Sequence, residues 1–388
     1  MKIAFVTDSY VPAPNGTSVS VEILRKSLEK AGHDVYVFAP KYSNINPANK
    51  KIVLLPGVFS HQDKYKPRFW PTSSPNDKVI KQVGFDIIHS HLFYSPFKYA
   101  LDFAKKAQIP HVTTFYRIFP EYERLFPSFS FSLSSNFERS HEQTINFANS
   151  VNHIVALSNN TKKYFTEANV NIPISVLPVG IFTKDYASYP PEAIKQRFKI
   201  PQSRKLLLTV LRLEKDSNLP LLLKAFRQVW KSIDDVHLLI VGGGSMEKEF
   251  IRTVENQAFK NFITFTGWLP KAQVNKIYGA ADLFVYPKQL DPEPLCVIES
   301  LAAGTPVVAV EGMMGPDFIR ENQDGFIAKP TVEDFSIKIV DILRRNKMLL
   351  DFSIRSRLLA RDFKSSNLTL DLLKLYESTM GSDKNKFF

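Results

Sequence analysis

The sequence contains almost no cysteine: Cys296 is the only one among 388 residues. A single thiol cannot form an internal disulfide, so a reducing compartment suits the chain best. Long apolar runs are missing too, since no stretch approaches the roughly 20 residues that a membrane-spanning helix needs. The opening run, residues 1–8, is too short for the apolar region of a signal peptide. We therefore predict a cytoplasmic protein, attached at most to the inner face of a membrane.

Nucleic-acid-binding motifs are also missing from the sequence. It has no zinc-ligand spacing, no RNP-like motif and no basic region with heptads. The net charge of +12 is a mild excess for this length and suits anionic partners such as phosphates or acidic lipids. We therefore expect small anions or a membrane surface, and no nucleic acid, among the partners.

What the sequence does contain is a regular alternation of short apolar runs with amphipathic segments. Alternation of this kind builds a parallel sheet covered by helices on both faces. A polar stretch, Phe182–Arg204, divides the alternation into two series and is interpreted as a linker. The C-terminal part is predicted to be mostly helical over Met348–Met380 and then to fray. The predicted strands are Lys2–Thr7, Val35–Ala39, Ile52–Leu55, Ile87–His89, His111–Phe115, His153–Ala156 and Ser175–Leu177, and then Leu206–Leu211, His237–Val241, Ile263–Phe265, Leu283–Tyr286, Val307–Val310 and Phe326–Ala328.

These patterns predict an α/β protein of two doubly wound, Rossmann-like domains. The first domain is expected to span residues 1–181 and the second residues 182–363, with a helix at about 364–380 packing back on the first. Open sheets of this type bind ligands at the carboxyl ends of their strands. We therefore predict a site in a central cleft that both sheets face.

Two candidate sites follow strands of the first series. Gly16 opens a helix, where backbone N–H groups can approach a phosphate, although an ordinary turn would look the same. His89 and His91 lie on one face of a strand at its carboxyl end. Their spacing resembles a metal pair, but no acidic or cysteine partner stands nearby. A histidine that bonds a backbone carbonyl is the structural alternative.

Two more candidates follow strands of the second series. Arg212 and Lys215 come directly after its first strand, and a guanidinium fork and an ammonium both suit phosphate oxygens. The alternative is charge on a solvated loop. Gly243 lies in a Gly-Gly-Gly turn after the next strand, which falls short of the dinucleotide pattern and is equally compatible with a plain tight turn.

The most specific motif is Asp291-Pro-Glu-Pro-Leu-Cys-Val-Ile-Glu299, followed by Ser-Leu-Ala-Ala-Gly-Thr-Pro-Val-Val. Glu299 lies in an otherwise apolar helix, where an unpaired carboxylate would be costly. Ligand hydroxyls could satisfy it, and carboxylates do bind ribose in this way. A neighbouring cation or exposure to solvent would satisfy it equally well.

At this motif the sequence resembles the retaining GT-B glycosyltransferases called glycosyl transferases group 1, or glycosyltransferase family 4. Two acids separated by seven residues, followed by small residues and Gly-Thr-Pro-Val-Val, are the hallmark. Further matches in the same order are the Gly16 turn, Ile-His-Ser-His91, Leu-Pro-Val-Gly180-Ile, Arg212-Leu-Glu-Lys215, Gly242–Gly244 and Phe265-Thr-Gly267.

The resemblance implies a nucleoside-diphosphate sugar as donor, with UDP-glucose favoured, held mainly by the second domain. It implies that Glu299 binds the ribose and Arg212 the diphosphate. It further implies transfer with retention and no need for a metal or other cofactor. Catalytic roles are expected for His91, Arg212 and Asp291. The expected donor-binding residues are Gly16, Arg212, Lys215, Gly243, Glu293, Pro294, Leu295, Cys296 and Glu299.

Several positions depart from the family pattern. The first acid is usually glutamate and is Asp291 here, and the usual glycine three residues later is Pro294. The second phosphate cation usually stands where this chain has Ser217, for which Lys215 could compensate. Drift at these positions leaves room for a sugar-nucleotide-binding or scaffold protein without activity. A GDP-mannose-dependent mannosyltransferase and another two-domain Rossmann enzyme are the remaining alternatives.

On the acceptor side, the sequence is most similar to family members that act on diacylglycerol. Tyr116 and Tyr122, in a tyrosine-rich segment, are the expected acceptor-side residues. Lys64–Trp70 mixes cations with aromatics and Leu125–Phe137 is rich in phenylalanine, compositions that favour an anionic membrane surface. An ordinary loop and a buried aromatic cluster are the alternative. We therefore expect a lipid as the acceptor, with a glycan as the second possibility.

Overall fold

The computed structural model divides into two compact units, one of Met1–Gly180 with Ser365–Phe388 and one of Ile181–Lys364. No helix among the residues described is both long and apolar enough to cross a bilayer. The structure describes residues 1–13, 15–42, 49–55, 58–59, 67–69, 77–92, 97–116, 134–186, 189–289, 291, 294–312 and 317–383.

The first unit is built on a seven-stranded parallel sheet with the order β3-β2-β1-β6-β7-β8-β9. Strand β1, the third of the seven in that order, is buried from Ile3 to Thr7, as an apolar run inside a parallel sheet requires. The strands are β1 Lys2–Thr7, β2 Asp34–Pro40, β3 Ile52–Leu55, β6 Ile87–Leu92, β7 His111–Phe115, β8 His153–Ala156 and β9 Ile174–Val176, with a separate antiparallel pair, β4 Val58–Phe59 and β5 Pro67–Phe69. The helices are α1 Gly16–Lys30, α2 Asp77–Val83, α3 Phe97–Ala107, α4 Ser134–Ala148 and α5 Asn159–Glu167.

The second unit contains a six-stranded parallel sheet with the order β12-β11-β10-β13-β14-β15. Leucine, isoleucine and valine from one face of this sheet form a continuous core with the helices that cover that face. The strands are β10 Lys205–Val210, β11 Val236–Val241, β12 Ile263–Phe265, β13 Leu283–Tyr286, β14 Val307–Val310 and β15 Gly325–Ala328. The helices are α6 Pro191–Arg197, α7 Leu219–Ser232, α8 Glu247–Glu255, α9 Lys271–Tyr278, α10 Leu295–Ala303, α11 Val332–Arg344 and α12 Asn346–Leu359.

Helix α13, Ser365–Asp383, returns the chain to the first unit. Its Tyr376 is fully buried, and the hydroxyl bonds Nδ1 of His89 at 2.6 Å. The sequence predicted that the helix frays from Gly381; this position is wrong, because the helix continues to Asp383.

The prediction of two Rossmann-like parallel sheets is confirmed. The interpretation of Phe182–Arg204 as a plain linker is wrong, since this stretch belongs to the second unit and contains α6. The buried side chains of Ile194 and Ile200 attach it to that unit, and proline at the helix start hid the pattern.

Both sheets reverse their strand order at one place. In the first unit the reversal lies between β1 and β6, and in the second between β10 and β13. At such a reversal the connections leave in opposite directions, which opens a crevice beyond the carboxyl ends of the two strands. The fold therefore marks one candidate position in each unit.

A buried carboxyl in the second unit makes stability depend on pH. Asp324 is fully buried beside β15, and its Oδ1 accepts a bond from the Arg320 N–H at 2.9 Å. Burial raises its pKa from 3.8 to about 6. Because the folded state binds this proton more tightly, the contribution to stability is complete below pH 3.8 and is lost as the pH rises through 6.

We expect Asp324→Asn to be more stable relative to wild type at pH 8 than at pH 4.5. The amide keeps the acceptor for Arg320 and cannot ionise. Thermal melting of both proteins at the two pH values measures the difference. An equal difference in melting temperature at both would contradict the assignment.

Candidate active site

The turn after β10 is fixed by backbone bonds to its neighbouring strand. The Leu211 N–H donates to Val241 O and the Leu213 N–H to Gly243 O, both at 3.0 Å. Between them, Arg212 places its Nη2 3.6 Å from Glu214 Oε1, with its side chain about one third exposed. The guanidinium therefore lies at the carboxyl end of β10, where the sheet reverses.

The glycine turn Gly242–Gly244 fits closely against this segment. A Cβ at Gly242, which has φ +127°, would collide with the carbonyl of Leu211. One at Gly243 would lie 2.7 Å from Nε1 of Trp268. Close packing therefore accounts for these glycines without a ligand. That Gly243 also binds the donor remains a prediction.

Glu299 lies in α10 with only 4% of its side chain exposed, and its Oε1 bonds Nζ of Lys271. Of the possibilities that the sequence left open for this carboxylate, the structure shows a neighbouring cation, which α9 supplies. Tyr186 and Tyr278 also face the pair: burial, and then the negative charge of Glu299, raises the pKa of both phenols. Since the Lys271 side chain is 45% exposed, the pair is open to solvent on one side.

The acid loop leads from β13 into α10. Asp291 accepts a bond from the Tyr286 hydroxyl at 2.8 Å. Pro294 precedes the first turn of α10, and no side chain caps this helix. The missing N–H of Pro294 therefore lies outside the helix, while the N–H groups of Leu295 and Cys296 belong to its first turn, where helical partners are lacking. Glu293 lies outside the described residues.

Burial raises the pKa of the Cys296 thiol well above its ordinary value. The thiol is therefore protonated at neutral pH and adds no negative charge to the first turn of α10, and the backbone N–H of Cys296 is its stronger donor to an anion.

One cation was missed by the sequence reasoning. Lys288 is the second residue after β13, and its Nζ lies 3.3 Å from Asp216 Oδ2. Lys215 lies in the same turn as Asp216 and is exposed, whereas Ser217 is buried. The signal in the sequence was a lysine two residues beyond a buried strand, in Tyr286-Pro-Lys288.

In the first unit, Gly16 begins α1 directly after the Asn15 cap, whose Oδ1 accepts from the Ser18 N–H at 2.9 Å. A Cβ at Gly16 would meet nothing within 4 Å among the described residues, and its φ is not positive. Neither sterics nor backbone conformation requires a glycine here, in contrast to Gly242. An open space beside helix N–H groups is compatible with an approaching anion.

The two histidines of β6 are fully buried and differ in their partners. His89 bonds Thr114 Oγ1 at 2.7 Å as well as Tyr376, so it is satisfied by hydroxyls and not by a carbonyl. His91 Nδ1 lies 3.3 Å from the Tyr116 hydroxyl, while its Nε2 has no partner within the described part of the chain. Burial lowers the pKa of His91 to about 3, so its imidazole is neutral.

Within each unit, the structure thus gathers predicted residues at the strand reversal: Gly16, His91 and Tyr116 in the first, and Arg212, Asp291 and the start of α10 in the second. No group of three metal-ligating side chains occurs among the residues that the structure describes. Tyr122 lies outside them, as do the side chains of Lys64–Trp70 and most of Leu125–Phe137.

Two sheets of this topology, each with polar groups at its reversal point, define a GT-B type protein. Residues 14–185 match Glycosyltransferase Family 4 and residues 191–358 match Glycosyl transferases group 1. The two matches together cover most of the chain, which therefore belongs to glycosyltransferase family 4, the glycosyl transferases group 1, and is a glycosyltransferase.

Relatives and solved structures agree with this assignment. An alpha-monoglucosyldiacylglycerol synthase of Streptococcus pneumoniae is 26% identical over 80% of this chain and 71% of its own length. A protein of the same name from Acholeplasma laidlawii is 23% identical over 90% of both. In fold, the chain is similar to sucrose-phosphate synthase of Thermosynechococcus elongatus (TM-score 0.78, 17% identity, 98% and 100% covered). It is also similar to HepE of Anabaena, solved with UDP and glucose (TM-score 0.76, 17%, 97% and 100%).

We expect Lys271→Met to destabilise the second unit by leaving the buried Glu299 without its cation. The loss should be below the about 3–5 kcal/mol of a fully buried pair, because Lys271 is half exposed. Urea unfolding measures it, with Lys276→Met on the same helix as control. In protein that already carries Glu299→Gln, Lys271→Met should lower the free energy of unfolding by less than it does in wild type. An equal loss in both proteins would contradict the ion pair.

Proposed function

We propose that this glycosyltransferase moves a hexose, with retention, from a nucleoside-diphosphate sugar to a lipid or glycan acceptor. UDP-glucose is the donor and diacylglycerol the acceptor that we favour. The observation that carries the proposal is the similarity, over 80% and 90% of the chain, to two proteins named alpha-monoglucosyldiacylglycerol synthase. The structural neighbour HepE, solved with UDP and with UDP-glucose, supports the donor class.

The donor would bind at the reversal point of the second sheet. Arg212 can bond phosphate oxygens through its planar fork, and Lys215 adds a more exposed charge. The first N–H groups of α10, from Leu295 and Cys296, favour an anion through the helix dipole. Glu299 would take the ribose hydroxyls: a carboxylate offers about four acceptor positions, so the bond to Lys271 does not exhaust it.

The chemistry of this site is electrostatic. As the bond from sugar to diphosphate breaks, negative charge builds on the departing phosphate. Fixed cations and N–H dipoles stabilise that charge, which is the task a metal ion performs in other transferases. We propose that no metal is needed here, and that Asp291 and the 291–295 loop bind sugar hydroxyls.

In the first unit, His91 would lie near the reacting sugar and Gly16 near the diphosphate. The low pKa of His91 makes its imidazole a neutral hydrogen-bonding group at physiological pH and a poor proton donor. Tyr116 orients it through the bond to Nδ1. We propose that Tyr116 and Tyr122 serve the acceptor, and that Lys64–Trp70 and Leu125–Phe137 attach the protein to an anionic membrane surface.

A panel of UDP, GDP and ADP tested by thermal shift identifies the nucleotide, and UDP release with UDP-glucose and diacylglycerol vesicles measures transfer. We expect Glu299→Ala to abolish donor use with the fold intact. Arg212→Ala should lower turnover by about 10²–10³. Arg252→Ala, at the far end of α8, is the matched control and should retain wild-type turnover.

Nucleotide binding without transfer to any acceptor would favour a binding or scaffold protein, and stabilisation by GDP alone would favour a mannosyltransferase. Wild-type turnover in Glu299→Ala would remove the ribose assignment. Stabilisation by none of the three nucleotides would overturn the proposal.

A further inference from the structure

Lys288 follows strand β13, which is the neighbour of β10, the strand that precedes Arg212. Strands β10 and β13 pair directly in the sheet, with Leu207 opposite Leu283 and Leu208 opposite Phe284. Arg212 follows the end of one strand and Lys288 the end of the other. The two cations therefore flank the crevice that the reversal opens.

The ammonium group of Lys288 is held in place. Only 24% of its side chain is exposed, and the Asp216 side chain beside it is 15% exposed, with 3.3 Å between Nζ and Oδ2. The backbone next to it is tied as well, since Asn218 Nδ2 donates to Pro287 O at 2.9 Å. Because most of its side chain is buried and its ammonium group contacts Asp216, Lys288 has fewer accessible rotamers than the exposed Lys215.

The charge of Lys288 also reaches the first turn of α10. Lys288 and Lys271 both act to lower the pKa of Cys296, against burial and the acids Asp291 and Glu299. The Lys288 charge therefore acts on the Cys296 side chain in that turn, where burial and the two acids outweigh it. The helix start adds the N–H groups of Leu295 and Cys296 as a second source of positive potential.

The turn after β10 offers no equal alternative. Ser217 is 1% exposed and carries no charge. Lys215 begins a short 3₁₀ turn and is exposed to solvent, where its attraction to an anion is screened.

We propose that Lys288 binds the diphosphate of the donor, exchanging its contact with Asp216 for phosphate oxygens. This inference rests on the proposed function, because it takes a nucleoside diphosphate as the ligand of this site. It assigns the second phosphate cation to the strand beside the Arg212 strand, in place of position 217.

The test compares Lys288→Met with Lys215→Met by calorimetric titration with the diphosphate that the thermal-shift panel selects. The corresponding nucleoside, titrated by NMR, has no phosphate and reports on the base and ribose contacts alone. Losing one charge-assisted bond should weaken diphosphate binding about 10- to 100-fold in Lys288→Met. Nucleoside affinity should be unchanged, and Lys215→Met should show the smaller loss of diphosphate binding.

The double variant Lys288→Met/Asp216→Asn is the control for a folding defect, because it removes both charges of the pair and leaves no unpaired carboxylate. We expect it to bind the diphosphate as weakly as the single Lys288→Met variant does. Equal loss of nucleoside and diphosphate affinity would assign Lys288 a structural role and overturn the inference. Unchanged diphosphate affinity would overturn it too, while leaving the proposed function intact. If wild type binds none of the three diphosphates, the proposed function fails first.

Discussion

The pairing of β10 with β13 is the constraint on which the candidate site of the second unit depends. These strands are parallel neighbours, and their connections leave in opposite directions. The residues that follow the two strands therefore lie beside the same crevice. Arg212 is distant in the sequence from Lys288 and the start of α10, and the pairing of the two strands brings them to the same end of the sheet. The hydrophobic core beneath them fixes the strands, and the strands fix the charges.

A second constraint is the buried carboxylate of Glu299. An acid at 3% residue exposure inside an apolar helix is tolerated because Lys271 reaches it from α9. The pair joins two helices and places a carboxylate acceptor one turn into α10. Stability and the proposed binding of ribose hydroxyls therefore involve the same side chain, Glu299.

The sheets were predictable from the sequence because many of their strands contain short apolar runs. Lys2–Thr7, Ile52–Leu55 and Val307–Val310 have the predicted bounds. Elements with mixed composition were not found: Asp77–Val83 is a short polar helix, and the two-residue strand Val58–Phe59 is too brief for any period to show.

For the candidate site, the order of the strands was enough to place Gly16, His91 and Arg212 at carboxyl ends. The partners of those residues were not predictable, since they depend on contacts far apart in the chain. Neither the Lys271 ion pair nor the bond from His89 to Tyr376, 287 residues away, leaves a local pattern in the sequence. The glycine turn at 242–244 shows that a sequence pattern can also suggest a ligand where close packing already explains the glycines.

The bond from Tyr376 to His89 bears on the order in which the chain acquires its structure during synthesis. Domains generally fold as units when their residues have left the ribosome, the N-terminal one first. Here the first unit needs Ser365–Asp383 to cover its sheet, and this segment is translated only after the whole of Ile181–Lys364. The second unit, continuous in sequence, is thus complete earlier. Until α13 emerges, the nascent first unit lacks the Tyr376 side chain that covers and bonds His89.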